Sequence, residues 1–162
     1  VAIVMGSDSD LPVMEASFDV LKKFGIPFEV RITSAHRTPA AAKAFVEDAD
    51  KRGCAAFIAA AGMAAHLAGA VSATTVKPVI GVPMNASLDG LDALLSTVQM
   101  PAGIPVATVA IGKAGAKNAA YLAAQIIAVS DPALAEALRE ERADNARAIE
   151  DKNAALQAQL KG

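Results

Sequence analysis

Val1-Ala2-Ile3-Val4-Met5 runs straight into Gly6-Ser7-Asp8-Ser9-Asp10. The first five residues are continuously apolar and rich in β-branching, the pattern of a strand buried on both faces, as in a parallel sheet. The next five are small and polar and read as a turn. Beyond it, Leu11, Met14, Phe18 and Leu21 recur at helical spacing, with Pro12 in the first turn. Gly25, after Lys22, Lys23 and Phe24, is a C-terminal stop.

The same unit repeats along the chain. Residues 28–33 form a second strand, followed by Ser34-Ala35-His36-Arg37-Thr38-Pro39. Pro39 fits a first helical position and Thr38 an N-cap. The helix expected over 40–52 has Ala41, Ala44, Phe45 and Ala49 as its apolar side, and Gly53 ends it. Residues 54–61 are a third buried strand, and 62–69 a turn and helix start. A fourth strand, 79–82, lies between Pro78 and Pro83. A helix over 88–98 has Ser87 as its cap. An irregular loop (99–105), a fifth strand (106–111), a glycine turn (112–115) and a helix (116–129) follow. After Asp131-Pro132 the tail to Gly162 reads as one long charged helix. Its leucines and Ile149 flank the polar stretch 140–145 and suit packing on another subunit.

Five alternations with no linker predict one α/β domain over 1–162, with about 132–162 as an extending helix. The architecture is a doubly wound three-layer α/β/α sandwich around a parallel five-stranded sheet. The 162 residues are enough for a real core. Hydrophobic residues make up 54% and charged residues 20%, and mean hydropathy is +0.37. The apolar excess is largely alanine, which suits tight helix packing and buried subunit contacts. No apolar run approaches the roughly 18 residues of a membrane helix. Net charge is −2, without a basic stripe, so nucleic acid is not an expected partner. The single cysteine, Cys54, allows no intrachain disulfide and reads as a small buried hydrophobe. There is no signal-peptide pattern, so a cytoplasmic location is expected. Val1 opens directly inside a strand, so we expect starting residues to precede it.

In such a fold the loops after the strands open on one edge of the sheet. Both histidines of the chain, His36 and His66, lie on such loops. The loop 6–10 reads either as a phosphate cradle at a helix N-terminus or as plain capping by Ser9 or Asp10. It is neither a P-loop nor a dinucleotide fingerprint. Arg37 reads as a bidentate phosphate clamp or as a surface ion pair. His36 reads as a general acid/base or as a polar turn residue. His66 is a second acid/base, an anion donor, or a buried helix-start histidine. Gly62-Met63-Ala64-Ala65 offers a side-chain-poor backbone to a planar ligand, a carboxylate or CO₂, or serves tight packing. The carboxylates Asp8 and Asp10 follow serines in a helix-start pattern, so no metal is expected. Nucleophilic serine chemistry lacks its elbow motif.

Jointly, 5–10, 34–39, 61–69, 99–106 and 110–120 resemble the family of 5-(carboxyamino)imidazole ribonucleotide mutases, the phosphoribosylaminoimidazole carboxylase catalytic subunit family. The resemblance covers the chain to about Leu138. It implies a flavodoxin-like homo-octamer that moves a carboxylate from an exocyclic nitrogen to the neighbouring imidazole carbon in purine biosynthesis. No ATP, metal or organic cofactor is implied. Ser7, Asp10 and Arg37 would bind the ribose phosphate. Ser34 and the segment holding Gly62, Ala64, Ala65, His66 and Leu67 would surround base and carboxylate. His36 would shuttle the proton. Transient contact with the enzyme that supplies the unstable carboxyamino substrate is a further expectation. Met63 stands where the commonest family motif has a second glycine, Ala68 where it has proline and Ala107 where it has glycine. The segment 84–90 is one residue short. The His66 motif resembles the mutase branch more than the branch that carboxylates aminoimidazole ribonucleotide directly with CO₂. That branch is the runner-up, and a non-catalytic nucleotide-binding protein on the same fold is a further alternative.

Overall fold

All four residues of β1 (Ala2–Met5) are buried, as an apolar run with strand neighbours and helices around it requires. A computed structural model describes residues 1–161. β2 (Glu29–Ile32), β3 (Phe57–Ala61), β4 (Val79–Pro83) and β5 (Ala107–Thr108) complete one sheet, in the order β2-β1-β3-β4-β5. Every pairing is parallel. Ala2 is opposite Glu29 on one side and Phe57 on the other, and the register runs on to Met5 opposite Ile32 and Ala60. β2, an edge strand, leaves Val30 and Ile32 exposed.

The helices are α1 (Leu11–Lys23), α2 (Pro39–Lys51), α3 (Leu67–Ser72), α4 (Leu91–Val98), α5 (Gly112–Ala128) and α6 (Pro132–Lys161). Ala2, Val4, Phe57, Ala59 and Val79 share one apolar cluster with Val46 and Ala49 of α2 and Leu67, Ala68 and Val71 of α3. The alternate residues Ile3, Met5, Ile58 and Ala60 turn to the opposite face and are equally buried. α1 and α5 supply the apolar residues there and meet where the Phe24 and Tyr121 rings stand edge to face, 5.9 Å apart. This is the expected flavodoxin-like arrangement.

By its internal contacts the chain divides into two compact units, Val1–Ile126 and a second from Ile127 on. The second is built on α6. Asp131 Oδ1 accepts the Leu134 N–H at 3.0 Å and starts the helix. Arg139–Glu136 and Arg147–Asp144 pairs run along its wet side. Leu134 and Leu138 are buried, whereas Ile149, Leu156 and Leu160 are exposed. The expected helix end at Gly162 lies outside the described residues.

Several local expectations are corrected. The buried stripe of α2 is Ala42, Val46 and Ala49, whereas Ala41 and Ala44 are exposed and Phe45 is half-buried. Alanines at 40, 41, 42 and 44 blur the stripe in sequence. α4 starts at Leu91 instead of 88, because Leu88, Asp89 and Gly90 all have positive φ (44°, 53° and 80°), and Ser87 makes no side-chain cap. The fifth strand is only two residues long. The presumed glycine turn 112–115 is the first turn of α5. Gly115 serves close packing there: a Cβ would lie 1.6 Å from the Ala110 carbonyl oxygen.

Candidate active site

β1 lies between β2 and β3, so the winding of the sheet reverses at its carboxyl end and opens a crevice there. A cleft of about 510 Å³ occupies this place. Ser7 and Asp10 enter it from the loop after β1. Ser34, His36 and Arg37 enter from the loop after β2, and Gly62, Ala64, His66 and Leu67 from the segment after β3. Ala65 is not part of the lining and is 1% exposed, beneath the surface of the segment. Gly6, Ser9, Ala35, Ala61, Met63 and Ala86 complete the walls. Of these, Ala86 comes from the loop after β4 and was not singled out in sequence.

The first loop is held by a capping box. Ser7 Oγ accepts the Ser9 N–H at 3.2 Å, and Asp10 Oδ2 accepts the Ser7 N–H at 3.1 Å. The cap is therefore Ser7, on the 3₁₀ turn Asp8–Asp10 that precedes α1. Burial pushes the Asp10 carboxyl above its ordinary value, and the charge of Asp8 adds to this. Hydrogen bonds from the Ser7 and Gly6 backbone oppose the rise.

The second loop is tied internally. Ser34 Oγ accepts the N–H groups of His36 (3.3 Å) and Arg37 (3.1 Å). A hydroxyl has two lone pairs, so these bonds leave the Ser34 O–H as a donor for something else. Thr38 stands at the N-cap of α2, but its hydroxyl makes no capping bond to the helix. Arg37 Nη2 reaches the Gly6 carbonyl at 3.4 Å and bridges the first two loops. Among the described residues Arg37 has no carboxylate partner. The His36 and His66 rings approach edge to face, with centroids 6.0 Å apart.

The third segment is shaped by backbone. A Cβ on Gly62 would lie 2.8 Å from the Ala86 Cβ, so only glycine lets the loop after β4 come this close. Met63 has φ 57° and is 60% exposed at the cleft. This is the left-handed region, which glycine adopts without the strain a methionine side chain brings. The Ala65 and His66 N–H groups are used by the Met63 and Ala64 carbonyls, both at 2.8 Å. The N–H groups of Ala65 and His66 are therefore not available to an anion, which leaves those of 62–64 and of Leu67 at the start of α3. Among the described residues no group of His, Cys, Asp and Glu is arranged to hold a metal, and no helix is long and apolar enough to cross a membrane.

Fold and cleft define the class: a flavodoxin-like α/β sandwich with its polar residues gathered at the switch point of the sheet. Within that class, the chain belongs to the AIR carboxylase family, whose model matches residues 1–148. It is 53% identical over 153 residues to the N5-carboxyaminoimidazole ribonucleotide mutase of Pyrococcus horikoshii, covering 94% of this chain and 85% of that one. It is 51% identical over 152 residues to the mutase of Pseudomonas aeruginosa, covering 93% of each. The phosphoribosylaminoimidazole carboxylase of Saccharomyces cerevisiae is 58% identical over 132 residues, 81% of this chain but 23% of the yeast protein. A crystal structure of Treponema denticola PurE superposes with a TM-score of 0.85 at 31% identity, covering 96% of both chains.

Proposed function

We propose that this chain interconverts N5-carboxyaminoimidazole ribonucleotide and 4-carboxy-5-aminoimidazole ribonucleotide, an isomerase step of purine biosynthesis. The observation that carries the reading is the meeting, in one cleft, of adjacent His36 and Arg37 with the side-chain-poor wall Gly62–Ala64. The near-full-length likeness to mutases supports it.

Arg37 and Ser7 hold the phosphate beside the start of α1, where backbone N–H groups favour anions. Ionised Asp10 can only accept hydrogen bonds, so it takes a ribose hydroxyl. Ser34 donates its O–H to the base or carboxylate. Protonated His36 gives its proton to the exocyclic nitrogen as the N–C bond breaks and CO₂ departs. The electron-rich ring carbon attacks the trapped CO₂ and forms the C–C bond. Neutral His36 then removes that carbon's proton, which restores the aromatic ring and the starting imidazolium. One imidazole serves both transfers because its ring nitrogen can give a proton and take one back. The wall at 62–64 has few groups to compete for CO₂. Every electron pair stays within substrate and imidazole, so the sequence of steps calls for no ATP, metal or organic cofactor.

One catalytic domain works within a cytoplasmic homo-octamer and takes its labile substrate from the enzyme that makes it. The exposed apolar faces of α4 (Leu91, Leu95, Val98) and α6 (Ile149, Leu156, Leu160) support subunit packing. A sedimentation measurement returning a monomer overturns the octamer. Substituting His36→Asn is expected to slow interconversion by about 10²–10⁴-fold; a variant as fast as the parent refutes the mechanism. Aminoimidazole ribonucleotide with bicarbonate, assayed against the carboxyamino compound alone, separates mutase from direct carboxylase.

A further inference from the structure

Thr38 reads from sequence as a helix cap, yet its hydroxyl is spent elsewhere. Thr38 Oγ1 accepts the Ser34 N–H at 2.9 Å. It lies 3.2 Å from the Ser34 carbonyl and 3.1 Å from Thr33 Oγ1. The Thr38 N–H also donates to the Ser34 carbonyl, at 2.9 Å. Thr38 therefore grips both backbone polar groups of Ser34.

Ser34 in turn grips the next two residues, since its Oγ accepts the His36 and Arg37 N–H groups. The other end of the chain of bonds is anchored in the sheet. Thr33 is 5% exposed, and its N–H donates at 2.9 Å to the carbonyl of Met5, the last residue of β1. The path thus runs from β1 through Thr33, Thr38 and Ser34 to the two residues whose side chains face the cleft. Without the Thr38 hydroxyl the Ser34 N–H has no protein acceptor, and only the Thr38 N–H bond to the Ser34 carbonyl still joins residue 38 to residue 34.

We propose that Thr38 is a positioning residue: its hydroxyl fixes the turn that aims His36 at the reacting atoms and Arg37 at the phosphate. The inference rests on the reading of His36 and Arg37 above. It differs from a purely structural cap in what it costs. A cap stabilises α2 and leaves the turnover of folded enzyme alone. A positioning residue controls geometry, where a displacement of about 1 Å can cost about 10²-fold in rate.

The test compares Thr38→Val, which keeps the shape and removes the hydroxyl, with Thr38→Ser, which keeps the hydroxyl. Both are assayed with the full chain, well below the melting temperature. Thr38→Val is expected to lower kcat about 10–100-fold, with a smaller rise in KM, and to move the alkaline limb of the kcat/KM profile, the limb on which the imidazolium that starts the reaction is lost. Thr38→Ser is expected to stay within about threefold of the parent, with the parent's pH profile. If valine prevents folding, Thr38→Ala carries the same comparison. A hydroxyl-free variant with the parent's kcat and pH profile overturns the proposal, as does a serine variant as impaired as the valine one. His36→Asn runs beside them. If it is impaired while Thr38→Val is not, only the role of Thr38 fails. If it retains full activity, the reading of the site fails and the positioning role with it.

Discussion

Arg37→Gln is the sharpest test of the anion site, because the structure separates its effect on binding from its effect on folding. A guanidinium offers five N–H donors, and the fold uses one of them, Nη2, in a long 3.4 Å bond to Gly6. No carboxylate among the described residues neutralises it, and the side chain is exposed. Its unused donors and charge are therefore available to a phosphate. Two charge-assisted bonds, discounted for solvent at an open cleft, are worth about 2–4 kcal/mol. That corresponds to a loss of about 30–1,000-fold in kcat/KM. Folding loses little: an exposed substitution without a buried partner stays within about 0.5 kcal/mol, or about 2 °C in Tm. The assay follows interconversion at varied substrate, with inorganic phosphate as competitor. The variant is expected to lose phosphate inhibition along with substrate affinity, and Arg37→Lys to fall between, since it keeps the charge without the planar fork. A glutamine variant within threefold of the parent in kcat/KM, inhibited equally by phosphate, refutes the assignment.

Two further outcomes are expected. Met63→Gly removes a left-handed strain of about 1–2 kcal/mol and adds about 0.5–1 kcal/mol of unfolded-state entropy, so Tm should rise by up to about 4 °C. Met63→Ala keeps the strain and should not rise, and a glycine variant less stable than the alanine one refutes the strain. Asp10 is more easily protonated in the folded chain than in the unfolded one, because burial raises its value above 3.8. Its stabilising contribution is full below that ordinary value and disappears as pH rises through the raised one. Thermal melts at pH 4 to 8 should therefore show the Tm of Asp10→Asn minus that of the parent increasing with pH; a difference that decreases with pH contradicts the sign.

The parts of the fold that were legible in sequence are those with a single strong cause. β1 and β3 announce themselves because burial on both faces demands unbroken apolar runs. The cleft residues were legible by place, because the loops after parallel strands open on one edge of the sheet, although each residue type there also had a capping, turn or packing use. Where two causes compete, sequence was ambiguous. Thr38 could cap α2 or bond four residues back, and the nearby Ser34 N–H won. Gly115 could turn the chain or admit a close backbone, and only the position of Ala110 distinguishes the two. Ala86 joins the cleft through its contact with Gly62, a spatial relation with no local signature.

The placement of β1 also bears on how the molecule is made. β1 is internal to the sheet, and its two neighbours, β2 and β3, follow it in chain order. Each parallel pairing must wait for a crossover to be completed. All lining residues of the cleft lie between Gly6 and Ala86. On a ribosome, the recognition surface is thus fully encoded before α4, β5, α5 and α6 emerge. Among the described residues none of those later elements supplies a wall, so a substitution in them leaves every residue that lines the cleft unchanged.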